Sequence, residues 1–230
     1  MIAAEFFDQE PGALAIALLG KVLRHRYHHP DRGPKWLSAR ILETEAYYLT
    51  EHGSHSSQGF TESRKAMFME PGTLYMYYAR GGDSLNFSAR GKGNGVLVKS
   101  GVPVVDHKSP SESLEVMAEL NPVNGRRRPT DKLCSGQTLL CKSLALKVRE
   151  WNREQLRRGR FVLDDTGYRP ARVIQTTRLG IPAGRDDHLP YRFIDEQYAA
   201  FCTSNPLTRR SWKEGRDYRV LDQRSEFCIR

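Results

Sequence analysis

Apolar residues recur at two different intervals along the chain, and these intervals divide it into helices and strands. Over residues 9–23, Leu14, Leu18 and Val22 fall on one helical face, with Pro11 in the first turn and Asp8 as the cap, which predicts an amphipathic helix. From Trp36 to Ala46 the pattern alternates as a strand does, so Ile41, Glu43, Glu45 and Tyr47 are expected on one face. Residues 48–66 are polar, rich in glycine and serine and without a period, which predicts a long surface loop carrying His52 and His55. The stretch "PGTLYMYYARGGDSLNFSA" then reads as a hairpin, with strands Thr73–Ala79 and Ser84–Ala89 joined by a Gly81-Gly82 turn.

Residues 94–100 predict a third, more buried strand, and residues 109–121 a helix with serine caps, early glutamates and apolar Leu114, Met117 and Leu120. A basic loop at 125–132 holds Arg126, Arg127 and Arg128. Residues 134–146 predict a helix entered through Ser135-Gly136, and helix N-termini favour phosphate. Further strands are expected at Phe161–Leu163, Arg172–Thr177 and Tyr191–Ile194, while the polar tail from 203 has no clear period. Helices and strands mixed without a repeat or a convincing linker give a mixed α+β fold, read as one domain over 1–202 with a polar extension at 203–230.

Composition narrows the picture. A hydrophobic content of 39% in 230 residues fills one core. The longest apolar run, Leu14–Leu19, ends at Gly20-Lys21, far short of a bilayer span, so no membrane role is expected. The start "MIAAEFFDQE" has no basic segment before an apolar stretch, which argues for a cytoplasmic protein, associated with the nucleoid if the source is bacterial. Cys134, Cys141, Cys202 and Cys228 lack CxxC spacing and are expected as plain thiols. The net charge of +9 favours a polyanionic partner, without distinguishing DNA from RNA or an acidic membrane surface.

The candidate chemistry centres on "LETEAYYLTEHGSHS", residues 42–56. Glu43 and Glu45 on one strand face would lie about 7 Å apart, a pair suited to hydrolysis of a glycosidic bond or, equally, to a solvated strand edge. Tyr47, Tyr48, Tyr75, Tyr77 and Tyr78 bracket the same region and could stack on a nucleobase, although tyrosine is also common in ordinary strands. His55 could be a general acid, a hydrogen-bond donor, a metal ligand or a plain loop histidine. The HxxH spacings at 25/28 and 52/55 lack cysteine or aspartate partners, so no metal is expected. Gly81-Gly82 is most simply a tight turn, and the flanking Arg80 would permit insertion into a nucleic-acid groove.

The ordered set "EFFDQ" (5–9), "ETEAY" (43–47), "SH" (54–55), "MFMEPGTLYMY" (67–77), "LNFS" (85–88), "LCSG" (133–136) and "RLGI" (178–181) closely resembles the alkyladenine DNA glycosylase family, over about residues 4–195. The resemblance implies a compact fold with a curved antiparallel sheet, flanking helices and a protruding hairpin that enters the minor groove. It also implies an enzyme without metal or organic cofactor, acting as a monomer on double-stranded DNA that contains damaged purines. Such an enzyme flips the damaged base out and hydrolyses its N-glycosidic bond, leaving an abasic site for base excision repair.

Glu45 falls on the family's catalytic carboxylate, the general base for water. Tyr47 and His55 fall on the residues stacked against one face of the flipped base, Tyr77 on the opposite face, and Asn86 on the side chain that disfavours the amine of guanine. Three positions depart from the family pattern. Lys99 replaces an arginine that contacts the catalytic water and phosphate, Gln137 replaces the proline of "CSGP", and Arg80 or the Gly81-Gly82 turn occupies the place of an intercalating tyrosine. DNA contacts are then expected from Arg80, Gly81, Gly82, Arg126, Arg127, Arg128 and Ser135. Two competing readings remain: a non-catalytic nucleic-acid-binding protein on the same scaffold, against which the retained Glu45 argues, and a hydrolase of free nucleosides, against which the basic charge argues.

Overall fold

The computed structural model describes residues 1–79 and 81–223, so Arg80 and Cys228 lie outside the described residues. Nine strands form one open sheet in the order β3-β4-β5-β2-β8-β7-β9, with β1 and β6 attached beside β2. The strands are β1 (Val22–His29), β2 (Gly33–Tyr47), β3 (Leu74–Ala79), β4 (Gly82–Ser88), β5 (Gly95–Pro103), β6 (Phe161–Asp164), β7 (Arg172–Thr176), β8 (Arg192–Asp195) and β9 (Tyr218–Asp222). Every pairing between them is antiparallel. Helices α1 (Pro11–Leu18), α2 (Ser111–Leu120) and α3 (Gln137–Ser143) pack on this sheet. The fold is therefore the mixed α+β class expected, with a large antiparallel sheet that does not close.

Several elements differ from the sequence pattern for identifiable reasons. The first helix stops at Leu18 because Gly20 adopts φ +83°, and a Cβ there would stand 2.7 Å from the Tyr168 ring. Val22 consequently begins β1, a strand hidden in the sequence because "RHRYHH" is polar: Arg24 and His25 are buried on Asp164 and the Leu144 carbonyl, and the strand runs out to solvent only from Arg26. Helix α3 is shorter than the predicted 134–146, with Gly136 rather than Ser135 at its N-cap. The segment after 203 contributes β9, which pairs with β7 at the sheet edge.

The hairpin turn is tighter than expected. Ala79 pairs with Gly82, so Gly82 belongs to β4 while Gly81 adopts φ +77°. Gly82 is buried, and a Cβ on it would lie 2.8 Å from the Thr138 Cβ, which gives close packing on α3 as the reason for glycine there.

The strand that carries Glu45 is irregular at the point that matters. Register shifts occur on both sides of Glu43 against β5, leaving Leu42 and Lys99 without direct Cα partners. Ile41 consequently packs in the main core, Leu42 joins a second cluster with Ile174 and Ile194, and the expected common face begins only at Glu43. Cys134, Cys141 and Cys202 are buried free thiols. Among the described residues no helix is long and apolar enough to cross a membrane, and no three His, Cys, Asp or Glu side chains gather as metal ligands.

Candidate active site

One row of residues crosses seven strands in register: Tyr75, Asn86, Leu97, Glu45, Arg192, Thr176 and Tyr218. Their alternating neighbours Leu74, Met76, Leu85, Phe87, Val96, Val98, Ala46, Val173 and Phe193 fill the main core. Tyr75, Tyr77, Asn86, Lys99, Glu45, Tyr47 and Arg192 are therefore delivered to the opposite face by strand alternation.

Glu45 is 0% exposed on that face. The Tyr47 hydroxyl donates to Glu45 Oε2 at 2.7 Å, Lys99 Nζ stands 3.2 Å from Oε1, and the Leu179 amide approaches the same oxygen at 3.4 Å. The bulge on β5 aims Lys99 at this carboxylate. Burial pushes the Glu45 carboxyl up, but the charges of Lys99 and Arg192 and the hydrogen bonds from Tyr47 and Lys99 outweigh it and hold the group below the ordinary glutamate value. It is thus a carboxylate at neutral pH, with one side held by a phenol and the other by an amine.

Beside it lies a small cavity of about 30 Å³ lined by Tyr47, Ser54, His55, Met67, Tyr75, Tyr77 and Asn86. His55 closes one side, its ring 4.7 Å from that of Tyr77 and its Nδ1 3.3 Å from the Tyr75 hydroxyl. Burial here lowers the His55 affinity for a proton, and the charges of Arg64 and Arg185 lower it further, so the ring is neutral near pH 7. Burial, followed by the Glu45 charge, pushes the Tyr77 phenol up to about 12. Ser84 and Gln137 oppose that rise, and Gln137 Nε2 donates to the hydroxyl of Ser84, the residue paired with Tyr77 across the hairpin, at 2.8 Å. Gln137, whose consequence is not legible in the sequence, thereby ties α3 to the strand position opposite Tyr77. The Asn86 amide donates to the Tyr75 carbonyl at 3.0 Å.

Glu45, Tyr47, His55, Tyr77, Asn86 and Lys99 are thus brought together, while the other expected residues separate from them. Glu45 is not in the cavity lining but sits behind Tyr47. Glu43 is not its chemical partner: it is fully buried in an ion pair with Arg192 at 2.6 Å and accepts from Ser100 and Thr203. Ser135 donates to the Cys202 carbonyl at 3.2 Å instead of capping a helix. Arg126 and Arg127 are exposed, and Arg128 donates to the Asn121 carbonyl at 3.2 Å. Gly81 is exposed at the hairpin turn and Gly82 is buried.

Sequence reasoning missed the support behind Tyr47. Arg178 lies with its guanidinium 4.5 Å from the centre of that ring, donates to the Ala46 carbonyl, and pairs with Glu51. The available signal was an arginine inside the apolar "RLGI", because a buried guanidinium requires an acid, and Glu51 is the acid in the facing loop. Tyr78, which the sequence groups with the candidate base-stacking rings, is turned away from them by alternation and is 71% exposed beside the hairpin turn.

A buried ionised carboxylate, clamped by an amine and a phenol, thus stands next to a slot walled by aromatic rings. Residues 5–199 match the family model described as methylpurine-DNA glycosylase. The chain is 58% identical over 217 residues to a Pseudomonas aeruginosa protein provisionally named 3-methyladenine DNA glycosylase, covering 94% of this chain and 88% of that one. A Pseudomonas fluorescens protein with the same provisional name is 58% identical over 96% of this chain and 93% of its own. The DNA-3-methyladenine glycosylase of Mus musculus is 35% identical over 84% of this chain and 58% of the mouse protein. The chain belongs to the methylpurine-DNA glycosylase family, which makes it a DNA glycosylase with DNA as its substrate.

Proposed function

We propose that this enzyme extrudes an alkylated or deaminated purine from duplex DNA, takes it between Tyr77 and the Tyr47–His55 side, and hydrolyses its N-glycosidic bond with water activated by Glu45. The observation that carries this reading is Glu45 itself: fully buried, ionised, and fixed beside three aromatic rings. A carboxylate in that state accepts a proton from water and stabilises the developing positive charge on the sugar. An alkylated purine already carries positive charge that weakens its sugar bond. The protein's task is then to isolate the nucleotide and hold water, and extrusion costs least for a poorly paired lesion.

The His55–Tyr77 separation of 4.7 Å is too small for a stacked base. Two rings on either side of one base stand about 6.8 Å apart, twice the stacking repeat of DNA. Binding therefore includes the withdrawal of His55, which opens the short 3-10 helix His55–Gln58, from Tyr77, which is held in the β3–β4 pairing opposite Ser84. The same movement opens a route for water past Tyr47 to Glu45. Tyr78, exposed beside the hairpin turn, is an aromatic wedge available to fill the gap left in the duplex, alongside the basic side chain of Arg80.

Duplexes containing 3-methyladenine, 7-methylguanine, hypoxanthine or ethenoadenine, incubated with excess enzyme, should yield alkali-labile abasic sites from at least one lesion. Release from none would reject the enzymatic reading in favour of a binding protein on the same scaffold. Release from free nucleosides in the absence of DNA would favour the other competing reading.

The pH dependence follows from the groups around Glu45. Because its folded value lies below the usual 4.5, the carboxylate persists as pH falls, and the acid limb of the single-turnover rate should lie below pH 4.5. Lys99→Met removes the largest influence that opposes burial, so the limb should move upward. The same profile in both proteins would remove Lys99 from this role.

A further inference from the structure

The match to the family model ends at residue 199, and the chain that follows does more than extend the sheet edge. From 209 to 219 it carries five basic side chains, Arg209, Arg210, Lys213, Arg216 and Arg219, against two acids, Glu214 and Asp217. Asp217 is occupied within the loop, accepting from the Lys213 amide at 2.8 Å and from Arg216 at 2.6 Å. Arg209, Arg210 and Lys213 are exposed, as is Arg219, which follows Tyr218 in β9 and so alternates to the other face of the sheet. The loop is also held in shape: Gly215 N donates to the Tyr218 carbonyl at 2.8 Å, and the Arg209 guanidinium lies 5.4 Å from the Trp212 ring.

The loop lies on the face that bears Glu45. Thr203 donates to Glu43, and Arg192, the residue opposite Glu45, donates to Thr203 and to the Ser204 carbonyl. Arg209 then donates to the Ser204 hydroxyl at 2.9 Å. At the other end, Thr176, which lies in the same cross-strand row, donates to the Asp217 carbonyl at 3.0 Å. The segment just before the loop is tied to the other basic stretch, since Lys132 donates to the Ala200 carbonyl and Ser135 to that of Cys202. The loop is thus fastened through Thr203 and Ser204 to β2 and β8, and the stretch just before it to Lys132 and Ser135.

We propose that residues 209–216 form a second contact surface for the phosphate backbone of duplex DNA, beyond the residues that the family model matches. The proposal rests on the reading of this face as the lesion-binding face. A loop whose basic groups point outward while its main acid is satisfied internally presents fixed positive charge to a polyanion. Each phosphate neutralised there releases condensed counterions, so the contacts contribute affinity without base preference.

Arg209, Arg210 and Lys213 changed together to glutamine test this on the full chain. Binding to an undamaged duplex is measured across a salt series by fluorescence anisotropy, and thermal unfolding verifies that the variant is folded. A control removes the same charge at the β1–β2 hairpin, with Arg26, Arg32 and Lys35 changed to glutamine. Its turn lies about 40 Å along β2 from Glu45, at roughly 3.3 Å per residue. The loop variant should bind more weakly, and its slope of log affinity against log salt should fall in magnitude by about 0.9 for each phosphate no longer neutralised, approaching 2.7 for three. The control should keep the wild-type slope. An unchanged slope in the loop variant, or an equal fall in the control, overturns the proposal. Wild-type release from the lesion panel separates this outcome from failure of the catalytic reading, because an active enzyme with an indifferent loop sinks only the second surface.

Discussion

Replacing Glu45 with glutamine should abolish base release while leaving lesion-containing DNA bound. The amide keeps the size of the side chain and can still meet the Tyr47 hydroxyl, but it takes no proton from water and places no negative charge near the sugar. General-base assistance contributes roughly 100- to 10,000-fold, so the single-turnover rate should fall at least that far. The substitution also removes the charge opposite Lys99, leaving an ammonium without its carboxylate in a nearly closed site. That excess positive charge favours phosphate, so binding should be retained or tightened. The measurement is base release with enzyme in excess, together with the dissociation constant for the same duplex. Near-wild-type release would remove Glu45 from its role, whereas loss of both binding and folding would leave the carboxylate a structural group.

Arg192→Met should have the largest effect on stability. Arg192 and Glu43 are both fully buried, bonded at 2.6 Å between β8 and β2, and Glu43 also accepts from Ser100 and Thr203. Taking away the guanidinium leaves a carboxylate in the interior with hydroxyl and amide donors but no countercharge. Breaking such a pair costs about 3–5 kcal/mol, which for a chain of this length is a fall in Tm of about 6–20 °C. The double change of Glu43 and Arg192 to methionine should recover part of that stability, because no unpaired charge is then left behind. Arg192 also helps hold Glu45 ionised, so the single variant should shift the acid limb of the rate upward in the same sense as Lys99→Met. Denaturant unfolding within about 1 kcal/mol of wild type would show that the pair contributes little.

These two substitutions separate neighbours that look alike in the sequence. Glu43 and Glu45 share an acidic side chain, a strand and, by alternation, a face, so the residue pattern alone offers them as a catalytic pair. Their partners divide them: Glu43 meets an arginine 149 residues away, while Glu45 meets Lys99 and Tyr47. The division is made by the register shifts around Glu43, which aim Lys99 at one acid while Ser100 and Thr203 satisfy the other.

Local order was legible in the sequence because it rests on short-range rules. Period-two alternation determined that Glu43, Glu45 and Tyr47 would share one face of a strand, glycine determined the place of a tight hairpin, and the ordered motifs determined the family. The basic excess determined that the partner is polyanionic. Tertiary structure alone decided that Gly82 packs under Thr138, that Arg178 backs Tyr47, that Gln137 bonds Ser84 opposite Tyr77, and that the polar tail returns as an edge strand. The physical reason is that a side chain's environment in a fold is set by groups distant in sequence. Periodicity states which way a residue points, but only the assembled sheet supplies the countercharge, ring or hydroxyl that it meets.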